Sequence, residues 1–139
     1  MSDFLPEGVT EISHTADLKI AIEGNTLEDI FGKAAAALAG IVAGKILKDF
    51  NQEEKIKITA GEESALLIDF LNEIISRTQI NRAVYPEIEI LELCENRAEI
   101  KLKGARVDDF RKDVKAATYH GVKIERRNGK LIAEILFDV

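Results

Sequence analysis

The sequence predicts an α+β fold in which two long helices pack on a mostly antiparallel β-sheet. Three observations point there. Alternating and helically spaced apolar stretches succeed one another in the order β-α-β-α-β-β-β-β. The strands gathered in the C-terminal half are joined by hairpin turns, which argues against a doubly wound parallel sheet. Two helices can cover only one face of such a sheet, so the other must be polar or be covered by strands folding back.

Each element follows from its residues. Leu18, Ile20 and Ile22 alternate with Asp17, Lys19, Ala21 and Glu23, giving the first strand over 17–23. Gly24-Asn25 ends it, and Thr26 is a fitting N-cap. Leu27, Ile30, Phe31, Ala34, Leu38, Ile41 and Val42 then follow at helical spacing, with Gly44 as C-cap. Ile56 and Ile58 mark a strand over 55–60. A second helix starts after Gly61 and buries Leu66, Leu67, Phe70, Leu71, Ile74 and Ile75. Strands over 87–93 and 97–103 turn at Glu95-Asn96. Between Ile88, Ile90 and Leu91, Leu93 the alternation slips by one, which predicts a bulge. Residues 107–113 form a connector that can include a helical turn.

The last hairpin is the most explicit. Asn128-Gly129 suits a two-residue type I′ turn, which needs φ > 0 at both positions. Arg127 then pairs with Lys130, Ile124 with Ala133, Val122 with Ile135, and Lys123 with Glu134 as an opposite-charge pair. Carried on without a bulge, the register sets His120 opposite Phe137 and Tyr119 opposite Asp138. The alternation Leu131, Ala133, Ile135, Phe137, Val139 runs to the final residue, so the end of the sequence reads as half-buried sheet. It brings together the Asp138 side chain and the α-carboxylate of Val139.

Composition bounds the class. The 139 residues fit one domain, 1–139, able to bury a core without disulfides. Cys94 is alone, so a reducing, cytoplasmic location is the expectation. No basic-then-apolar leader opens the chain, and the small-apolar run over 34–44 is too short to span a bilayer, so a soluble protein with no membrane partner is expected. Net charge is −6, but residues 101–130 carry ten basic against four acidic groups. Such a stretch can face RNA, a nucleotide or an acidic partner, and is more often a solvated face.

Few residues carry chemistry. His14 and Asp17 open the first strand; Asp17, Asp138 and the Val139 carboxylate would together form an oxygen-only cluster. Hard cations such as Ca²⁺ or Mg²⁺ prefer oxygen, whereas Zn²⁺ favours nitrogen and sulfur. Carboxylates this close repel, so a cation or Lys115 should balance them. A small metal-dependent phosphoesterase would use the same aspartates as ligands with His14 or His120 as acid/base. Against it, the sequence has no recognisable nucleophile–base motif and no Gly-rich phosphate loop.

His14-Thr15-Ala16-Asp17, Lys115-Ala116-Ala117-Thr118-Tyr119-His120 and Phe137-Asp138-Val139 resemble the three signatures of the archease family, and residues 64–73 are similar to a helical stretch of that family. The family usually has valine at the position of Ala117 and often tryptophan at that of Phe70; neither departure touches a charged site group. The resemblance implies a layered β/β/α sandwich and a protein cofactor rather than an enzyme, with no catalytic residue of its own. It implies assistance to an RtcB-type RNA ligase in tRNA splicing, by promoting ligase guanylylation and repeated turnover. It also implies a chaperone-like role toward a tRNA methyltransferase as an alternative. Direct contact with RNA stays open. The implied metal ligands are Asp17, Asp138 and Val139, with Ca²⁺ the usual ion and Mg²⁺ or Mn²⁺ the substitutes. Lys115 occupies the family's lysine position, and His14, Tyr119 and His120 are candidates for partner contact.

Overall fold

Alternating apolar residues become alternating burial in the computed structural model, which describes residues 4–13 and 17–139, and the backbone alone of 13 and 120–122. The elements are β1 (Val9–Ser13), β2 (Asp17–Gly24), α1 (Leu27–Ala43), β3 (Gln52–Thr59), α2 (Glu63–Asn81), β4 (Ala83–Leu93), β5 (Arg97–Arg106), β6 (Ala116–Arg127) and β7 (Lys130–Asp138). The expected α+β class holds, with one addition. β1 precedes the first expected strand and pairs antiparallel with β2, from Val9 opposite Ile22 to Ser13 opposite Leu18. Its two apolar residues, Val9 and Ile12, are three apart and so do not alternate.

The strands form two antiparallel sheets, ordered β1-β2-β7-β6 and β3-β5-β4. Each turns one apolar face inward. Leu18, Ile20 and Ile22 of β2 and Leu131, Ala133, Ile135 and Phe137 of β7 are buried, as are Ile56 and Ile58 of β3 and Ala98, Ile100 and Leu102 of β5. The outward face of the three-stranded sheet carries ion pairs, Lys55–Glu99 at 3.2 Å, Lys101–Glu53 at 3.4 Å and Lys103–Glu89 at 3.3 Å. This is the polar face that two helices alone leave uncovered.

Both helices contact both sheets: α1 packs on β4 and on β2 and β7, and α2 on β6 and on β3, β4 and β5. Phe31 of α1 and Phe70 of α2 meet with ring centroids 4.9 Å apart. Thr26 caps α1 as expected, its Oγ1 accepting from the Asp29 N–H at 3.1 Å. Gly44 ends the helix in the left-handed conformation (φ 71°), its N–H donating to the Gly40 carbonyl at 2.7 Å.

Two of the strand pairings are irregular. In β4–β5 the pairing shifts between Ile90 and Glu92, where the slipped alternation predicts a bulge, and again between Val84 and Glu87. In β6–β7 the expected hairpin forms: Asn128 (φ 54°) and Gly129 (φ 78°) turn the chain, and Arg127–Lys130, Ile124–Ala133 and Lys123–Glu134 are register partners. Beyond Lys123 the register departs from expectation. The next register partners are Thr118–Leu136, Ala117–Phe137 and Ala116–Asp138, so neither His120–Phe137 nor Tyr119–Asp138 forms; the expected Val122–Ile135 pair falls on a residue whose side chain lies outside the described ones. β6 advances five residues while β7 advances two. An odd insertion exchanges the faces of a strand, which is how Ala117, rather than its even-numbered neighbours, reaches the buried side beside Phe137. The connector 107–113 contains no helical turn. It docks on the end of α1, where the N–H groups of Arg111 and Lys112 donate to the Val42 carbonyl at 2.7 and 3.4 Å.

Candidate functional site

The shared end of β2, β6 and β7 collects three of the charged residues singled out in the sequence. Asp17 and Asp138 are register partners across β2 and β7, so their side chains leave the same face of the sheet. On the other flank Ala116 is the partner of Asp138, and the Lys115 N–H donates to the Asp138 carbonyl at 2.8 Å. Val139 follows Asp138 and is exposed, as are Asp138 and Lys115. The three-residue insertion in β6 produces this convergence: it pulls Ala116, and with it Lys115, level with Asp138.

Among the described residues the donor set at this end is oxygen-only. Among the described residues no group of three His, Cys, Asp or Glu side chains stands ready for a metal. Beside the two aspartates, the exposed Val139 at the end of the sequence is a further oxygen donor within reach of this end of the sheet. Facing carboxylates suit a hard cation of the calcium type, whose coordination is flexible and rich in water and carboxylate oxygen. Without a cation, like charges on directly opposed residues work against the sheet.

Tyr119 goes elsewhere. Its hydroxyl donates to Asp69 of α2 in a short hydrogen bond. That bond first, and partial burial second, raise the phenol above its usual pKa. Its side chain lines an open polar cleft with Lys57, Thr59, Asp69, Asn72 and Glu73, away from Asp17 and Asp138. His14 lies outside the described residues, and so does the side chain of His120.

The residues that hold the Lys115 segment in place escaped the sequence reading. β6 is the edge of its sheet, and α2 runs along that edge in the opposite direction. Glu63 pairs with Arg126 at 2.9 Å, Asp69 with Tyr119, and the Gln79 amide donates to the Val114 carbonyl at 3.2 Å. Asn72 does most. Its Nδ2 donates to the Ala117 carbonyl at 3.0 Å and its Oδ1 accepts the Ala117 N–H at 2.8 Å. The helix thus supplies by side chain the bonds a further strand would have made, and closes an otherwise open edge. The one signal in the sequence was an asparagine, a poor helix former, in mid-helix beside buried Leu71.

Comparison with known proteins agrees with the fold. The model of the Archease protein family (MTH1598/TM1083) matches residues 10–139. Protein archease of Methanopyrus kandleri is 31% identical, over 93% of this chain and 97% of its own. The solution structure of protein 1598 of Methanobacterium thermoautotrophicum has a TM-score of 0.77 at 24% identity, covering 95% of this chain and 99% of that one. The crystal structure of an archease of Thermotoga maritima, described as a possible chaperone, has a TM-score of 0.65 at 25% identity, covering 92% and 94%.

Proposed function

The chain belongs to the archease family, and on that premise we propose that it is a cytoplasmic, non-enzymatic activator of an RtcB-type RNA ligase in tRNA splicing. It promotes guanylylation of the ligase and so sustains multiple turnover. The observation that carries the reading is the register pairing of Asp17 with Asp138, with Lys115 bonded to the Asp138 backbone.

Asp17, Asp138 and the Val139 carboxylate would hold a divalent ion, Ca²⁺ first and Mg²⁺ or Mn²⁺ as substitutes. When bound, such an ion supplies positive charge to the phosphate oxygens of the reacting nucleotide. The chain's own residues do the rest. The two aspartates hold their carboxylates together at one end of the sheet, where an approaching active site can reach them. Lys115, held beside them by its backbone and making no ion pair among the described residues, adds a cation of its own for developing phosphate charge. Asn72 and Gln79 fix the backbone on either side of Lys115 through Ala117 and Val114. Preorganised charge of this kind needs no rearrangement when the ligase reacts.

The test is multiple-turnover RNA ligation by the ligase of the same source, with and without this protein, and again with Asp138→Ala. Restored turnover that the variant fails to support is the expected result; full support from a correctly folded variant would sink the metal-site mechanism. A second reading is favoured by the description of the Thermotoga maritima neighbour as a possible chaperone. On that reading the protein stabilises a partner such as a tRNA methyltransferase, needs no metal, and leaves ligation unchanged.

A further inference from the structure

The basic third of the sequence divides in two in the fold. Lys101, Lys103, Arg126, Arg127 and Lys130 are spent in ion pairs with Glu53, Glu89, Glu63, Glu125 and Glu23. Among the described residues Arg106, Arg111, Lys112 and Lys115 make no ion pair, and neither do Lys45 and Arg82; all six are exposed. Lys48, three residues beyond Lys45, and Lys123, apart in β6, are also without one.

Those six cations share one end of the molecule. The N–H groups of Arg111 and Lys112 bond the last turn of α1 at Val42. The Arg111 side chain lies against Gly44, the residue before Lys45, where an added Cβ would come within 2.9 Å of its own Cβ. Arg82 stacks its guanidinium 3.9 Å over the Phe110 ring. Its carbonyl accepts the Val107 N–H at 2.9 Å, which sets Arg106 beside it. The connector then passes Val114, held by Gln79, and reaches Lys115 at the Asp138 backbone. The patch is therefore continuous with the carboxylate pair.

Apolar surface accompanies the charge. Ile80 and Ile46 are the most exposed large hydrophobic residues described, at 76% and 65%. Ile80 stands between Gln79 and Arg82 in the chain, and Ile46 follows Lys45. Exposed Asp108, Asp109 and Asp113 are interspersed with the cations. A phosphate backbone gains nothing from isoleucine and is repelled by aspartate, whereas protein interfaces combine an apolar centre, arginine and a rim of mixed sign.

One backbone detail adds to this. Arg82 ends α2 in the left-handed conformation, φ 54°, a position that favours glycine or asparagine. An arginine is strained there; its guanidinium stacks on Phe110 yet the residue remains exposed, so its cation is open to a partner.

We propose that this end of the molecule, from Lys45 and Arg82 through Arg111 to Lys115, is the docking surface for a partner protein that presents acidic groups around an apolar centre. Docking there sets the Asp17–Asp138 pair against the partner's reactive centre. The inference rests on the proposed cofactor role, which makes the RtcB-type ligase the partner.

The experiment is binding of the full chain to that purified ligase, measured by calorimetry at low and moderate salt alongside stimulation of ligation. Arg106→Glu with Lys112→Glu should weaken binding about tenfold or more, and wild-type affinity should fall with salt. Arg82→Gly and Ile80→Ser should each cost roughly three- to tenfold without lowering Tm, whereas Lys101→Glu on the ion-paired face should stay within about twofold. Glycine suits the left-handed conformation at position 82, which offsets the lost stacking on Phe110, and Ile80 is exposed, so an unchanged Tm is the folding control for both variants. Wild-type affinity in the double reversal would overturn the docking surface while leaving the cofactor role intact. A labelled single-stranded RNA bound by the wild type and lost in the double reversal, with ligase binding unchanged, would make the face an RNA surface instead. Absence of any wild-type binding or stimulation would remove the cofactor role, and this proposal with it.

Discussion

Asp17 and Asp138 stand directly opposite each other at the shared end of β2 and β7, two carboxylates on one face of one sheet. Directly opposed like charges cost a sheet roughly 0.2–1 kcal/mol. Asp138→Asn should therefore raise Tm slightly in the presence of a chelator. Calcium should raise Tm in the wild type, by about 2.7 kcal/mol of stability at a hundredfold excess over Kd, and should do nothing for the variant. Thermal unfolding with and without calcium checks both halves. A variant that kept the full calcium response would remove Asp138 from the ligand set.

Tyr119 provides a pH signature. Its phenol is raised above the ordinary value by its bond to Asp69, and a raised group contributes stability below its unfolded pKa of about 10 that is lost as pH climbs through the folded value. The bond should hold through neutral pH and fail only in strong alkali, where an ionised phenol faces the Asp69 carboxylate. Tyr85 is also raised, by burial first. An ultraviolet titration of the native protein should thus show no phenol ionising at the usual pH. Tyr119→Phe should leave a single late transition, from Tyr85. An early transition surviving in that variant would contradict the assignment.

Asn72 joins the helix to the site. Replacing it with leucine leaves the Ala117 N–H and carbonyl without their partners, each worth about 1–3 kcal/mol where water cannot fully replace them. The expected result is a clear loss of stability, with exchange of the Ala117 amide rising more than that of Ile124 in the same strand. Asn72→Asp keeps an acceptor for the Ala117 N–H and loses the donor, so it should fall between the two. Uniform loosening along β6 would show that Asn72 supports the strand in general rather than the Lys115 segment.

What could be read in the sequence followed short-range chemistry. Asn128-Gly129 set the hairpin, and the register from Arg127–Lys130 to Lys123–Glu134 came with it. Thr26 and Gly44 bounded α1, and both helix cores were as their spacing required. The failures lie where a long-range choice overrides local pattern. Gly121, between Thr118 and Lys123, is the one local hint of a bulge, but nothing local gives the size of the insertion, which decides that Ala116 rather than Tyr119 meets Asp138. Asn72 and Ala117 are 45 residues apart, beyond the reach of any periodicity argument. The basic stretch over 101–130 was visible as composition, but its division into paired and unpaired halves depends on which glutamates the sheets bring alongside. Asp17 and Asp138 themselves, at opposite ends of the sequence, were joined only through resemblance to a family.

Gly104 marks the tightest backbone approach in the smaller sheet. It lies between Lys103, partner of Glu87, and Ala105, partner of Val84, where β4 carries one residue more than β5. A methyl group at Gly104 would overlap the Val84 carbonyl, 2.7 Å from its carbon and 2.8 Å from the Tyr85 Cα. These neighbours are backbone, so no side-chain rotation relieves the overlap. The bulge would have to open or β4 to withdraw, and β4 carries buried Val84 and Tyr85 into the core against α1. Gly104→Ala should destabilise by about 1–3 kcal/mol, as overpacked cores do. The loss should appear in the denaturant midpoint with little change in slope, because the unfolded state is hardly affected. Gly129→Ala is the informative contrast. It meets no neighbour within 4 Å but has φ 78°, so its cost is conformational alone and should be near 1 kcal/mol. If the two variants lost the same stability, the close approach at Gly104 would not be the constraint that keeps glycine there.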